Sequence, residues 1–252
     1  SIKVIQGKYV QEVRQVINPW VSQVVRLLAN QSFVEFDWIV GPILKEQKNP
    51  IGREIITRYM TTIKNDGVFY TDSNGRQMIQ RKNDAAFYTF ETTEPVSANY
   101  FPVPTRIQIA DKSARMTILT DRSQGGASLV DGQVELMLHR RMYDDDHWGV
   151  EEALDEPGND GKGLVVRGKH WLILEPAASS QKDQRKLALE MFHQPIVTFS
   201  LFQPGSKNSI LTDFSGLLKQ LPENIHVLTL KRLSESSVLL RLEHFLQNGD
   251  DT

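Results

Sequence analysis

Period-two alternation of apolar and polar residues, broken by tight-turn signals, constrains this chain more than any other feature. Between Ser32 and Val40, the residues Val34, Phe36, Trp38 and Val40 share one face, and Phe33, Glu35, Asp37 and Ile39 take the other. Successive side chains of a pleated backbone point to opposite sides, so this is a strand with one fully apolar face. Val24 to Leu28 pairs back onto it across Ala29-Asn30-Gln31. Val68 to Asp72 and Gln77 to Arg81 flank Ser73-Asn74-Gly75-Arg76, and Asn-Gly suits a hairpin turn whose central residues need positive φ. Arg106 to Ala110 and Ala114 to Thr120 form a further hairpin around Asp111-Lys112-Ser113. Gln133 to His139 is a strand with Val134, Leu136 and Leu138 on one side. Leu164 to Arg167 and His170 to Leu174 read as a hairpin joined by Gly168-Lys169, and later strands are expected at Pro195 to Leu201, His226 to Leu230 and Ser237 to Phe245.

Helical spacing interrupts this pattern once clearly. Ser180 with Asp183 three residues on has the form of a capping box, and Leu187, Ala188, Met191 and Phe192 make an apolar stripe behind it. A shorter helical turn is expected at Phe214 to Leu221, stopped by Pro222. The fold class that follows is all-β and mainly antiparallel, a β-sandwich with one or two short helices. Residues 1–252 read as one β-sandwich region, with a candidate subdivision near 175–186. From Asp144 to Lys162 the chain is mostly acidic residues, Gly, Pro, Asn, Lys, His and Trp, which is a loop composition.

With 252 residues, 40% of them apolar, the chain has ample material for a buried core. A formal net charge of -2 gives no reason to expect nucleic acid or an anionic membrane as partner. No apolar run reaches the length of a membrane-spanning helix. The absence of cysteine removes disulfides, thiol nucleophiles and cysteine metal sites together. Ser1-Ile2-Lys3-Val4-Ile5 reads as the middle of a strand, so a piece of a longer polypeptide is expected. Asn30-Gln31-Ser32 is a glycosylation acceptor triplet on a turn, with Asn30 the acceptor.

One stretch has an order that no core or helix requires: Thr120-Asp121-Arg122-Ser123-Gln124-Gly125-Gly126-Ala127-Ser128, continued by Asp131-Gly132-Gln133-Val134-Glu135-Leu136-Met137-Leu138-His139-Arg140-Arg141. Phe69-Tyr70-Thr71-Asp72-Ser73-Asn74-Gly75-Arg76, Glu94-Pro95-Val96-Ser97-Ala98-Asn99-Tyr100-Phe101-Pro102-Val103, Gly41-Pro42-Ile43 and Leu240-Arg241-Leu242-Glu243-His244 accompany it. Together these resemble the C-terminal β region of lysosomal- or vacuolar-type class II α-mannosidases, glycoside hydrolase family 38, from about Val10 to about His244. The resemblance implies a supersandwich of long curved sheets belonging to a zinc-dependent retaining exo-α-mannosidase of N-glycans. It also implies an aspartate nucleophile and a two-His, two-Asp zinc site in an N-terminal α/β portion, and no motif of that portion occurs here. This chain is therefore expected to be inactive alone, to pack on a catalytic N-terminal chain or domain as part of a hetero-oligomer, and to reside in a lysosome or vacuole.

The residues carry a matching picture. A retaining glycosidase needs two carboxyls about 5 Å apart. Asp144, Asp145 and Asp146 are the obvious acids, but three consecutive aspartates read as a solvated turn, with Asp144 and Asp145 supporting a pocket or accepting from Arg140 or Arg141. The six histidines are scattered, without His-x-Asp or His-Glu-x-x-His, so no metal ligands are assigned. Ser123 has no base partner in sequence, and Gly125-Gly126 reads as a tight turn or bulge. Arg140 and Arg141 end a strong strand, so their side chains leave on opposite faces; a guanidinium offers forked donors to sugar hydroxyls. The resemblance gives the substrate-binding role to Arg141 first and Arg140 second, the alternative being ion pairs with Asp144 to Asp146. Trp148 is an exposed candidate for stacking on sugar, whereas Trp20, Trp38 and Trp171 read as core. Two non-catalytic readings compete: a free-standing carbohydrate-binding β-sandwich module and a structural β module serving assembly.

Overall fold

The computed structural model describes residues 1–83, 93–201 and 211–250. Seven strands come first: β1 (Ile2–Gln6), β2 (Val10–Asn18), β3 (Val21–Leu28), β4 (Val34–Val40), β5 (Arg53–Met60), β6 (Val68–Ser73) and β7 (Gln77–Lys82). A 3-10 turn at Ser97–Asn99 leads into β8 (Phe101–Val103), β9 (Arg106–Ala110), β10 (Ala114–Thr120), β11 (Gln124–Ala127), β12 (Gln133–Arg141) and β13 (Val166–Pro176). Helix α1 (Lys182–Phe192) follows, then β14 (Ile225–Arg232) and β15 (Val238–His244). The chain forms two compact units, Ser1–Phe192 and His193–Thr252. Residues 175–186 belong to the first unit, where they span the end of β13 and the start of α1.

All strand pairs are antiparallel. The first unit holds a nine-stranded sheet, ordered β1-β2-β3-β4-β13-β10-β9-β6-β7, and a four-stranded sheet, β5-β12-β11-β8. Between them lies a core of Tyr59, Phe69, Val103, Ile107, Ile109, Met116, Ile118, Val134 and Leu136, with Phe36 and Leu172 packed against it. The other face of the large sheet carries a smaller cluster, Phe33, Leu119, Trp171 and Ile173, which α1 covers with Ala188 and Met191. The backbone NH of Lys182 donates to Ser180 Oγ at 3.2 Å, so Ser180 caps α1. Phe192, at the end of the stripe, stays exposed. The second unit contributes the β14–β15 hairpin.

Several expectations are corrected. Gly168-Lys169 is not a turn: β13 runs unbroken through it, and Gly168 pairs with Trp38 of β4. A Cβ on Gly168 would lie 2.4 Å from the Trp38 ring, so the glycine provides room for the indole instead of a reversal. Gly125-Gly126 is likewise strand, within β11; a Cβ on Gly126 would meet Val103 at 2.8 Å and Leu136 at 3.0 Å, both core residues. Pro195 to Leu201 is not a strand, and Phe214 to Leu221 is not a helical turn. Ile196, Phe199 and Leu201 are more than nine-tenths exposed, and an alternating segment becomes a strand only where a neighbour accepts its ladder. Finally, Leu138 leaves the inner side of β12, because a register shift between Met137 and His139 turns the strand there. Trp38 and Trp171 are core, while Trp20 is only partly buried.

One buried histidine ties the two sheets together. His170 of β13 is fully buried; its Nδ1 accepts from Tyr59 Oη on β5 at 2.9 Å, and its Nε2 donates to Gln124 Oε1 on β11 at 2.7 Å. Gln124 Nε2 in turn donates to the Met137 carbonyl of β12 at 2.8 Å. Burial pushes the imidazole pKa down to about 3, with the Asp121 charge opposing and the Arg122 charge adding to the shift. The unfolded chain takes up a proton near pH 6.5 and the folded chain does not, so the stabilisation is complete above pH 6.5 and is lost progressively down to about pH 3. At pH 5 the expected loss is about 2 kcal/mol relative to pH 7.5. Urea unfolding at both pH values, for the native protein and His170→Gln, checks this. An unchanged pH slope in the variant would count against it.

Candidate functional site

The outer face of the four-stranded sheet is where the chemistry-bearing side chains gather. Register pairs Arg58 with Glu135, Ile56 with Met137 and Glu54 with Arg140, alternating with the inward Val134 and Leu136. Glu54, Ile56, Glu135, Met137 and Arg140, with Tyr100, Gln124 and Gly125, line a cleft of about 710 Å³. Gly125 keeps its wall low: a Cβ there would stand 3.2 Å from the Tyr100 ring. Glu135 is buried and accepts from Arg58 Nη2 at 2.6 Å and from Tyr100 Oη at 2.5 Å. Burial, and then the Glu135 carboxylate, raise the Tyr100 pKa well above the usual phenol value, so Tyr100 remains a donor. Held in this way by Arg58 and Tyr100, Glu135 is an anchor for the cleft wall.

The two arginines at the end of β12 do leave on opposite faces, with opposite fates. Arg141 is buried; its Nε donates to Asp155 Oδ1 at 2.6 Å, and its Nη1 donates to the carbonyls of Ile43 at 2.7 Å and Lys162 at 2.9 Å. Lys45 is the second partner of Asp155; Lys45 first, and then Arg141, hold the Asp155 carboxyl below its ordinary range. Arg141 thus staples Asp155 and Lys162 of the long loop, residues 144–162, to Ile43 in the segment after β4. Arg140 is 45% exposed and paired with Glu54 at 2.8 Å. It lines both the large cleft and a second one of about 570 Å³, whose other walls include Asp144, Asp145, Asp146 and Trp148. The alternative of ion pairs between these arginines and Asp144 to Asp146 is not what forms: their acidic partners are Glu54, on β5, and Asp155, within the loop, neither of which local spacing could reveal.

The three aspartates instead shape their own loop. Asp144 Oδ1 accepts from the Asp145 backbone NH at 3.2 Å, Asp145 Oδ1 from the His147 NH at 3.0 Å, and Asp146 Oδ1 from the Trp148 NH at 3.1 Å. These Asx-type bonds turn the chain, with His147 at φ 57°, and present Trp148 at 90% exposure. Asp144, Asp145 and His147 are the one group of three metal-capable side chains among the described residues. They do not fit a structural or catalytic zinc centre: His147 already contacts Asp144 at 3.3 Å and Asp145 at 3.0 Å, the trio is largely open to water, and its oxygens serve the turn.

Asn30 lies exposed at the β3–β4 turn with φ 64°, and Ser32 of the triplet is exposed beside it. Ser123 lines the large cleft. Glu54, Tyr100 and Glu135 were not singled out by sequence reasoning. The available signal was a glutamate at an outward position of a strongly alternating strand, and a tyrosine within one of the quoted motif blocks.

Fold and cleft define the class: an antiparallel β-sandwich region with an arginine-and-acid cleft on the outer face of its smaller sheet. The chain belongs to the glycosyl hydrolase family 38, whose C-terminal domain profile matches residues 1–148. It is 43% identical to the lysosomal alpha-mannosidase of Cavia porcellus over 99% of its own length, and 43% identical to that of Homo sapiens over all of it. An alpha-mannosidase of Arabidopsis thaliana is 37% identical over the whole chain. The chain spans about a quarter of the length of each of these relatives. Its fold is similar to that of an alpha-mannosidase from Enterococcus faecalis V583, with a TM-score of 0.57 at 12% identity over 77% of this chain and 24% of that one.

Proposed function

We propose that this chain is the C-terminal β part of a zinc-dependent retaining exo-α-mannosidase that removes terminal α-linked mannose from N-glycans. It packs on the catalytic α/β portion, as a domain or as a subunit of a hetero-oligomer, and completes the sugar pocket; alone it is inactive. Zinc, held by the catalytic portion, supplies positive charge to orient and polarise the sugar there. The setting is a lysosome or vacuole reached by the secretory route, with Asn30 glycosylated. The observation that carries this reading is whole-chain identity to lysosomal alpha-mannosidases combined with an exposed Arg140 placed between two clefts.

Within the pocket, Arg140, 45% exposed, is the sugar-facing arginine, the reverse of the order expected from sequence, because the donors of Arg141 are engaged by Asp155, Ile43 and Lys162. Its forked donors exchange Glu54 for hydroxyl groups at modest cost, because an exposed ion pair is weak. Arg141 acts indirectly, by holding the loop that carries Asp144, Asp145 and Trp148. In the assembled enzyme, Arg140→Ala is expected to lower kcat/KM for a chromogenic α-mannoside roughly 10- to 100-fold, the worth of a hydrogen bond from a charged donor. Stability should change by less than about 1 kcal/mol. Unchanged kinetics would remove Arg140 from the pocket, and full activity from this polypeptide alone, or activity surviving zinc chelation, would overturn the larger reading. The free-standing carbohydrate-binding module gains no comparable support, because the exposed ring at the site, Trp148, stands without an aromatic neighbour among the described residues.

A further inference from the structure

The nine-stranded sheet is far wider than the four-stranded sheet opposite it, and β1, β2 and β3 contribute no buried residue to the core between them. Register shows which of their residues continue the core-facing side. Val4 pairs with Val13, Val13 with Val25, and Val25 with Phe36, which packs on that core. The neighbouring row runs from Leu27 to Val34, and the outermost positions are Ile2 and Val4. Ile2 is 70% exposed, Val4 60% and Leu27 52%.

The polar residues on this side are Gln6, Gln11, Gln15, Asn18 and Gln23, with no charge among them; Gln23 Nε2 donates to Gln15 Oε1 at 2.6 Å across the row. The reverse face of the same strands carries Lys3, Glu12, Arg14 and Arg26, and Arg26 ties Glu12, Glu35 and Asp37 into one ionic network. A sheet face that meets water places its charges there, as the reverse face does. Three strands bearing valine, isoleucine, leucine and amides on the continuation of the core face leave apolar surface bare.

We infer that the core-facing side of β1–β3 is a docking surface for the remainder of the longer polypeptide. The relatives match this chain along essentially its full length, yet about three quarters of their own length lies outside the match. That remainder meets the face with apolar and amide side chains and no charge, since a charge would be stranded against the valine rows. This rests on the proposed membership in a longer α-mannosidase and adds the location of the contact. A second copy of this chain is the rival occupant.

Hydroxyl-radical footprinting of the complete, purified enzyme tests the assignment, comparing native and urea-unfolded rates at Ile2, Val4 and Leu27. A bare face at these exposures would give protection of no more than about twofold, whereas a covered one should give roughly tenfold or more, as for core side chains. Val25→Glu should abolish the protection, while Val24→Glu, on the ionic face beside Arg14, should leave it; should Val25→Glu fail to fold, the native protection alone decides. Cross-links from β1–β3 to residues outside these 252 support the assignment. Twofold protection, or cross-links joining two copies of β1–β3, overturns it. Mannoside hydrolysis is followed in the same samples: an active enzyme with a bare face defeats the docking surface only, and a protected face in an enzyme inert toward mannosides defeats the proposed function only.

Discussion

Arg141→Ala is expected to lower the free energy of unfolding by about 3 kcal/mol, the low end of the range for breaking a buried ion pair. The low end applies because Asp155 keeps Lys45 as a partner and is itself 23% exposed. The substitution also leaves the carbonyls of Ile43 and Lys162 without their guanidinium donor, and releases the loop between β12 and β13. Activity of the assembled enzyme should fall with stability, because the loop that carries Trp148 loses its staple. Arg141→Lys should recover little, since one ammonium cannot span three acceptors in the planar geometry that the guanidinium uses. Thermal unfolding and kcat/KM of Arg140→Ala and Arg141→Ala, measured side by side, check this division. If Arg141→Ala melts with the native protein while losing activity, Arg141 and not Arg140 is the sugar-facing group.

Gly168→Ala should be nearly as damaging, at about 2–3 kcal/mol, although it adds a single methyl group. The new Cβ would stand 2.4 Å from Trp38 Cζ2 and 2.9 Å from two further ring atoms. Trp38 is 3% exposed, so its ring is enclosed by neighbouring residues. The strand itself tolerates alanine, because Gly168 has no left-handed backbone requirement. The double variant Gly168→Ala with Trp38→Phe should therefore recover part of the loss in urea unfolding. Absence of coupling between the two positions would show that the close approach is not what the glycine serves.

Much of the strand pattern was legible because it is local. Alternation in β4, β9, β10 and β12 records which side chains leave the water, and the Asn74-Gly75 turn records where the chain reverses. The helix was legible for the same reason, with Ser180 as its cap. The errors share a cause. At Gly168, Gly125 and Gly126 a glycine suggested reversal, but each serves as empty space for a residue distant in sequence: Trp38, Tyr100 or Leu136. Pro195 to Leu201 has strand-like alternation, yet among the described residues no strand is paired with it.

The site divides along the same line. That Arg140 and Arg141 face opposite ways followed from strand periodicity alone, and so did the loop character of residues 144–162. Which arginine is locked and which is available depended on Asp155 and Glu54, and those pairings arise only when β5 lies beside β12 and the loop returns to the segment after β4. The cleft between Tyr100, Glu135 and Arg140 is in the same position, assembled from the approach to β8 and from β5, β11 and β12.

By itself, then, the sequence determined the all-β class, the helix, the family and the absence of cysteine chemistry, because composition, motif order and nearest-neighbour periodicity are properties of the unfolded chain. Only the tertiary structure decided that His170 is a neutral bolt between sheets, that Arg141 is a staple, and that β1–β3 turn an uncharged face outward. Those roles depend on desolvation and on contacts between strands far apart in the chain, and neither exists until the sheets have closed on one another.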